Sequence, residues 1–107
     1  MSKINLTYDG KEYTLEFNRQ SVKTMEAQGF VLDEISTKPM SMIPMMFYGA
    51  FYKNHRGVKR AVVDEMYEAI GGKSELLQVL IEMYAETLAT LTDDTEDAGN
   101  VSWAVVK

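Results

Sequence analysis

Ile4-Asn5-Leu6-Thr7-Tyr8-Asp9-Gly10-Lys11-Glu12-Tyr13-Thr14-Leu15-Glu16-Phe17 is the stretch that decides the fold class. Apolar and polar residues alternate on both sides of Asp9-Gly10, the period of a half-buried strand. Asp-Gly suits a type I′ turn, whose twist matches that of the strands it joins. With that turn Leu6 stands opposite Tyr13 and Ile4 opposite Leu15, all on one face. A two-stranded hairpin is marginal alone in water, so this face must lie on helices. The expected fold is α+β and mostly helical, with an N-terminal β-hairpin over residues 3–17 packed on about four α-helices.

The helices follow from caps and periodicity. Asn18 is a good N-cap, with Phe17 before it and Val22 after it placed to staple the first turn. Gly29 suits the left-handed position beyond a helix end, and Phe30 can close back on Met25, giving a helix over 19–28. Residues 30–39 read as a connector with room for one short turn. From Met40 to Tyr52, ten of thirteen residues are apolar and none is charged, so a helix over 41–54 would be hydrophobic nearly all round. Ser41 is its candidate cap, and Pro44 falls in its first turn. Lys53-Asn54-His55-Arg56-Gly57 makes a basic loop. Val62, Val63, Met66, Tyr67 and Ile70 set a third helix over 59–70, ended by Gly71-Gly72. Ser74 is the candidate cap of a last helix over 75–91, whose stripe runs from Leu76 through Leu80, Met83, Tyr84 and Leu88 to Leu91. Val79 and Ile81 widen its apolar arc beyond one face.

Charge divides the chain at residue 92. Of the net −5, the segment 93–107 carries −3, from four carboxylates against Lys107. One domain over 1–92 and an acidic, flexible tail over 93–107 are therefore expected, and 107 residues suffice for a core without staples. Residues 93–100 have nothing to offset the cost of ordering. Residues 101–106, Val-Ser-Trp-Ala-Val-Val, are β-prone: they either pair with a hairpin edge, in this copy or a neighbour, or form a frayed end. The acidic balance argues against nucleic acid as a partner, and no stretch approaches the ~20 apolar residues of a membrane span. Met1-Ser2-Lys3-Ile4 lacks the basic-then-apolar run of a signal peptide, so a cytoplasmic protein is expected.

Catalytic chemistry finds little support. No cysteine is present, which excludes thiolate nucleophiles and thiolate metal sites. His55, the only histidine, has Asn54 and Arg56 for neighbours, no orienting carboxylate among them, and reads as an exposed loop residue. Asp64 and Glu65 are adjacent on a helix and so point about 100° apart. Gly71-Gly72-Lys73-Ser74 lacks the upstream glycine and apolar strand of a phosphate loop. Asp93-Asp94-Thr95-Glu96-Asp97 lacks the spacing of a calcium loop. The expectation is a protein that is not an enzyme and takes no cofactor or metal. Lys53, Arg56, Lys59 and Arg60 read as a solvated loop and helix start, or as a contact for an acidic partner surface.

Surface for partners remains. Four of the eight methionines lie at 40, 42, 45 and 46, followed by Phe47, Tyr48, Phe51 and Tyr52. Such a run is either a central core helix or a groove that adapts to several helical ligands.

Tyr8-Asp9-Gly10-Lys11-Glu12-Tyr13, Leu15-Glu16-Phe17-Asn18-Arg19, Met25-Glu26, Gly29-Phe30, Lys38-Pro39, Phe47-Tyr48-Gly49-Ala50-Phe51 with His55, and Leu80-Ile81-Glu82-Met83-Tyr84 together carry a resemblance. In order and content they resemble the short tail assembly chaperones of long-tailed, siphovirus-like bacteriophages and prophages of Gram-positive bacteria. The resemblance implies a protein that holds the helical tape measure protein soluble in the host cytoplasm until the tail tube polymerises, and that is absent from the mature virion. It also implies contact with the tail tube protein, a longer frameshifted form of the chain, and a homo-oligomer. On that reading Met42, Met45, Met46, Phe47 and Phe51 form the client contact set, and Val79, Ile81 and Trp103 serve self-association. The rival readings are a structural virion component, such as a tail completion or connector subunit, and a small protein-binding regulator.

Overall fold

The computed structural model describes residues 2–92 and 101–106, and the element order follows the alternation and caps just read. β1 (Ile4–Tyr8) and β2 (Lys11–Leu15) form a two-stranded antiparallel sheet, with Leu6 opposite Tyr13 and Ile4 opposite Leu15. Asp9 and Gly10 both take positive φ, 52° and 76°, as a type I′ turn requires. Leu15 is fully buried, and Ile4, Leu6, Tyr8 and Tyr13 lean on the same core.

α1 (Arg19–Ala27) begins at a complete capping box. Ser21 N–H donates to Asn18 Oδ1 at 2.7 Å, and Asn18 N–H donates to Ser21 Oγ at 2.9 Å. It ends in a Schellman motif: Phe30 N–H reaches Met25 O and Gly29 N–H reaches Glu26 O, each at 3.0 Å, with Gly29 at φ 99°. A 3₁₀ turn at Leu32–Glu34 is the one regular piece of the connector.

α2 (Pro39–Gly49) starts earlier and stops sooner than the span 41–54. Ser41 lies inside it, because Pro39 at the first position already supplies the helical φ. At its end the chain meets a tertiary contact. The carbonyl of Ala50 accepts Glu16 N–H at 3.0 Å, so it is diverted from the helix to the chain leaving β2. Tight turns then carry the chain through Phe51 and Tyr52 to His55.

α3 (Arg60–Ala69) and α4 (Lys73–Ala89) complete the body. Gly72, left-handed at φ 68°, takes the capping position expected of Ser74, which lies within α4. Lys73 turns back to cap α3, its Nζ 2.8 Å from the Ile70 carbonyl, where the helix dipole favours a cation.

The core is assembled around α2. Met42, Met46, Phe47, Ala50 and Phe51 are buried, and the hairpin, α1, α3 and α4 all contribute residues to the same cluster. Phe47 packs edge-to-face on Phe51 and on Tyr67 of α3, both at 5.3 Å, and Tyr13 meets Phe51 at 5.7 Å. α1 can come this close because Gly49 has no side chain: a Cβ there would lie 2.4 Å from Met25 Sδ and 2.7 Å from its Cγ.

That approach yields a prediction. Gly49→Ala gains up to about 1 kcal/mol of helix propensity, but the buried Met25 must move, an overpacking cost of about 1–3 kcal/mol. A net loss of about 1–2 kcal/mol is expected in urea unfolding. The same change made in a Met25→Ala background should cost nothing further, as a double-mutant cycle would reveal.

Candidate partner-binding surface

The turn after α2 finishes the edge of the sheet. Thr14 N–H donates to His55 Nε2 at 3.0 Å, and Asn54 Nδ2 donates to the Thr14 carbonyl at 3.1 Å. Two side chains thereby stand in for a third strand along β2, a way of blunting an edge. Asn54 also donates to Glu16 Oε2 at 2.8 Å, and Lys53 Nζ lies 3.1 Å from the same oxygen. The Asn54 hydrogen bond, then Lys53, hold the Glu16 carboxyl below the usual carboxylate range. His55 is therefore not the exposed loop residue expected. It is half-buried, edge-on to Tyr13 at 5.1 Å, and its acceptor nitrogen has a structural use.

The basic patch is partly spent in the same way. Arg60 pairs with Asp64 at 3.3 Å and lies over the Tyr48 ring at 5.1 Å, while Lys53 is held by Glu16.

The structure corrects the expected client contact set. Met42, Met46, Phe47 and Phe51 are at most 6% exposed, and Met45 is half-buried against them. A helix with no charged face loses most free energy when left in water, and an 11-residue α2 is short enough for the other elements to enclose. Of the residues assigned to self-association, Val79 and Ile81 are half-buried against the core. Trp103 is 83% exposed, in a segment over 101–106 without secondary structure. The expected lack of order over 93–100 lies outside the described residues.

Met40, in the first turn of α2, is 90% exposed, and a larger open apolar surface lies between α1 and the second half of α4. Val22 of α1, Leu88 of α4 and Leu91 in the turn beyond it line a depression of about 240 Å³, with Arg19, Lys23 and Glu26 also along it. It continues, sharing Glu26 and Leu88, into a second depression of about 470 Å³ floored by Phe30, Val31, Leu32 and Tyr84. Together they form one furrow, apolar in much of its lining, with Arg19 and Lys23 on the first depression, Asp33 on the second and Glu26 on both. Arg19 is held beside the first depression, its Nε 3.0 Å from Thr90 Oγ1 and a second nitrogen on the Thr90 carbonyl. Tyr84 fixes the floor, edge-on to Phe17 at 5.6 Å and to Phe30 at 5.2 Å. Burial pushes its phenol above the ordinary tyrosine range, and Glu26 adds to the effect. Val31 and Leu91 are large apolar residues exposed beside the furrow, at 45% and 67%.

Sequence reasoning missed Val31 and Leu32, because they fall in a connector where no period marks them. The signal was an apolar pair directly after a Schellman phenylalanine, with no strand or helix to absorb it. Leu88 and Leu91 were read as part of the α4 stripe, yet α1 covers that stripe only in part.

Among the described residues no three His, Asp or Glu are grouped to hold a metal ion, and no helix is long and apolar enough to cross a membrane. The chain matches, over residues 1–106, a family described as a domain of unknown function (DUF5055), and it belongs to that family. Neither the curated proteins nor the solved structures contain a match to it.

Tyr84 gives this surface a pH test. A phenol whose folded pKa is raised contributes stability that is complete below the unfolded value of about 10 and is lost as pH rises through the folded one. Tyr84→Phe should therefore match the parent protein in urea midpoint near pH 7 and exceed it increasingly above about pH 10. A difference that stays flat from neutral to alkaline pH would show that Tyr84 is not desolvated.

Proposed function

We propose that this protein is a tail assembly chaperone of a long-tailed bacteriophage or prophage, which binds the helical tape measure protein and keeps it soluble until the tail tube polymerises. The observation that carries the reading is the α1–α4 furrow, an apolar trough bordered by Arg19, Lys23, Glu26 and Asp33. An amphipathic helix seats its apolar face in such a trough and its flanking charges at the rims. The resemblance in segment order and content supports the client's identity. A holdase needs no nucleotide, because it acts by mass action on the exposed form of its client. One furrow this small binds weakly, so several copies along a long client supply avidity.

The contact residues on this reading are Val31, Leu32, Leu88 and Leu91, and α2 serves as the scaffold behind them. Val31→Glu and Leu91→Glu change exposed positions, where stability shifts usually stay within about 0.5 kcal/mol. Both should melt within a few degrees of the parent protein. Both should also recover several-fold less tape measure protein in soluble form on co-expression, because a charge buried at an apolar contact is costly. Undiminished recovery by the double variant would remove the furrow from the mechanism. Retention of the protein in purified virions would favour a structural component instead.

A further inference from the structure

The hairpin has two edges, and the chain treats them differently. On β2 both main-chain groups of Thr14 bond outward, to His55 and Asn54, so Thr14 and its partner Asn5 are a non-hydrogen-bonded pair. Asn5 must then also point its N–H and C=O outward, and by the alternation of the ladder so must Thr7. Among the described residues nothing bonds to these four groups. β1 is thus an open edge, with Ile4, Leu6 and Tyr8 half-buried along its core side.

The same chain carries an unpartnered strand-like segment. Val101, Trp103, Val105 and Val106 are 82%, 83%, 68% and 93% exposed, and residues 101–106 belong to neither strand. Valine and tryptophan favour a pleated, half-buried surface. In extended form Val101, Trp103 and Val105 share one face.

We propose that residues 101–106 of one copy add to β1 of a second copy as a third strand, giving a head-to-tail association. Six residues match the five of β1, and Val101, Trp103 and Val105 extend the half-buried row of Ile4, Leu6 and Tyr8. Charge order selects a parallel alignment. Asp9 directly follows β1 and Lys107 directly follows the segment, so a parallel addition brings opposite signs together, whereas the reversed one brings Lys107 to Lys3. Such exposed pairs contribute little to affinity, about 1 kcal/mol or less, but they penalise the reversed orientation. Each copy donates one segment and offers one edge, which is the heterologous contact that builds rings or filaments. This association does not depend on the client reading.

Trp103 is the only tryptophan, so its fluorescence reports the event. Emission should move to shorter wavelength as protein concentration rises, in step with the mass from light scattering. Amide exchange at Asn5 and Thr7 should slow over the same range. Val101→Asp with Val105→Asp, at exposed positions, should leave the melt unchanged, keep emission water-like and hold the chain monomeric. Water-like emission at every concentration would overturn the proposal. So would shifted emission at constant monomer mass, since the segment would then dock on its own copy. Association of the double variant, or association that leaves the Asn5 and Thr7 amides fast, would overturn it equally.

Discussion

A helix without a charged face has to be enclosed, and the rest of this fold follows from that constraint. α2 offers water no charged side, and from Met42 onward the hairpin, α1, α3 and α4 cover its apolar residues, while Met40 in its first turn stays exposed. Gly49 lets α1 approach as closely as Met25 allows. The Phe47–Phe51 pair receives Tyr67 from α3 and Tyr13 from the hairpin. Even the helix end is set by this wrapping, because the Ala50 carbonyl goes to Glu16 rather than to another turn of α2.

Enclosing α2 has consequences at the surface. Covering it leaves part of the apolar surface of α1 and α4 open beside Phe30, Val31 and Leu88. The furrow is the part of the apolar surface that the core does not use. The turn after α2 seals β2 with Asn54 and His55, leaving β1 as the open edge. The furrow and the open β1 edge are thus both by-products of how one helix is buried.

Local rules made much of this legible in the sequence. The hairpin register, the Asn18 cap and the Schellman end at Gly29 each depend on a few neighbouring residues, and each is found as read. Where two local signals competed, sequence could not rank them: Pro39 displaced Ser41 and Gly72 displaced Ser74 as the start of a helix. The contact set was misplaced because composition states that Met42 to Phe51 are apolar and not which side of the molecule they face. His55 was misjudged for a related reason. Its partner, the Thr14 N–H, lies 41 residues away, and only tertiary structure brings them together.

From Met42 onward the methionine-rich helix belongs to the interior of the protein. Native-state amide hydrogen exchange tests this most directly, because buried core helices open only with global unfolding whereas presented ones open locally. The amides of Met46 to Phe51 should be among the slowest in the chain, exchanging with Leu80 to Tyr84 at the global unfolding free energy. Fast local exchange over residues 46–51, with α4 still protected, would contradict it.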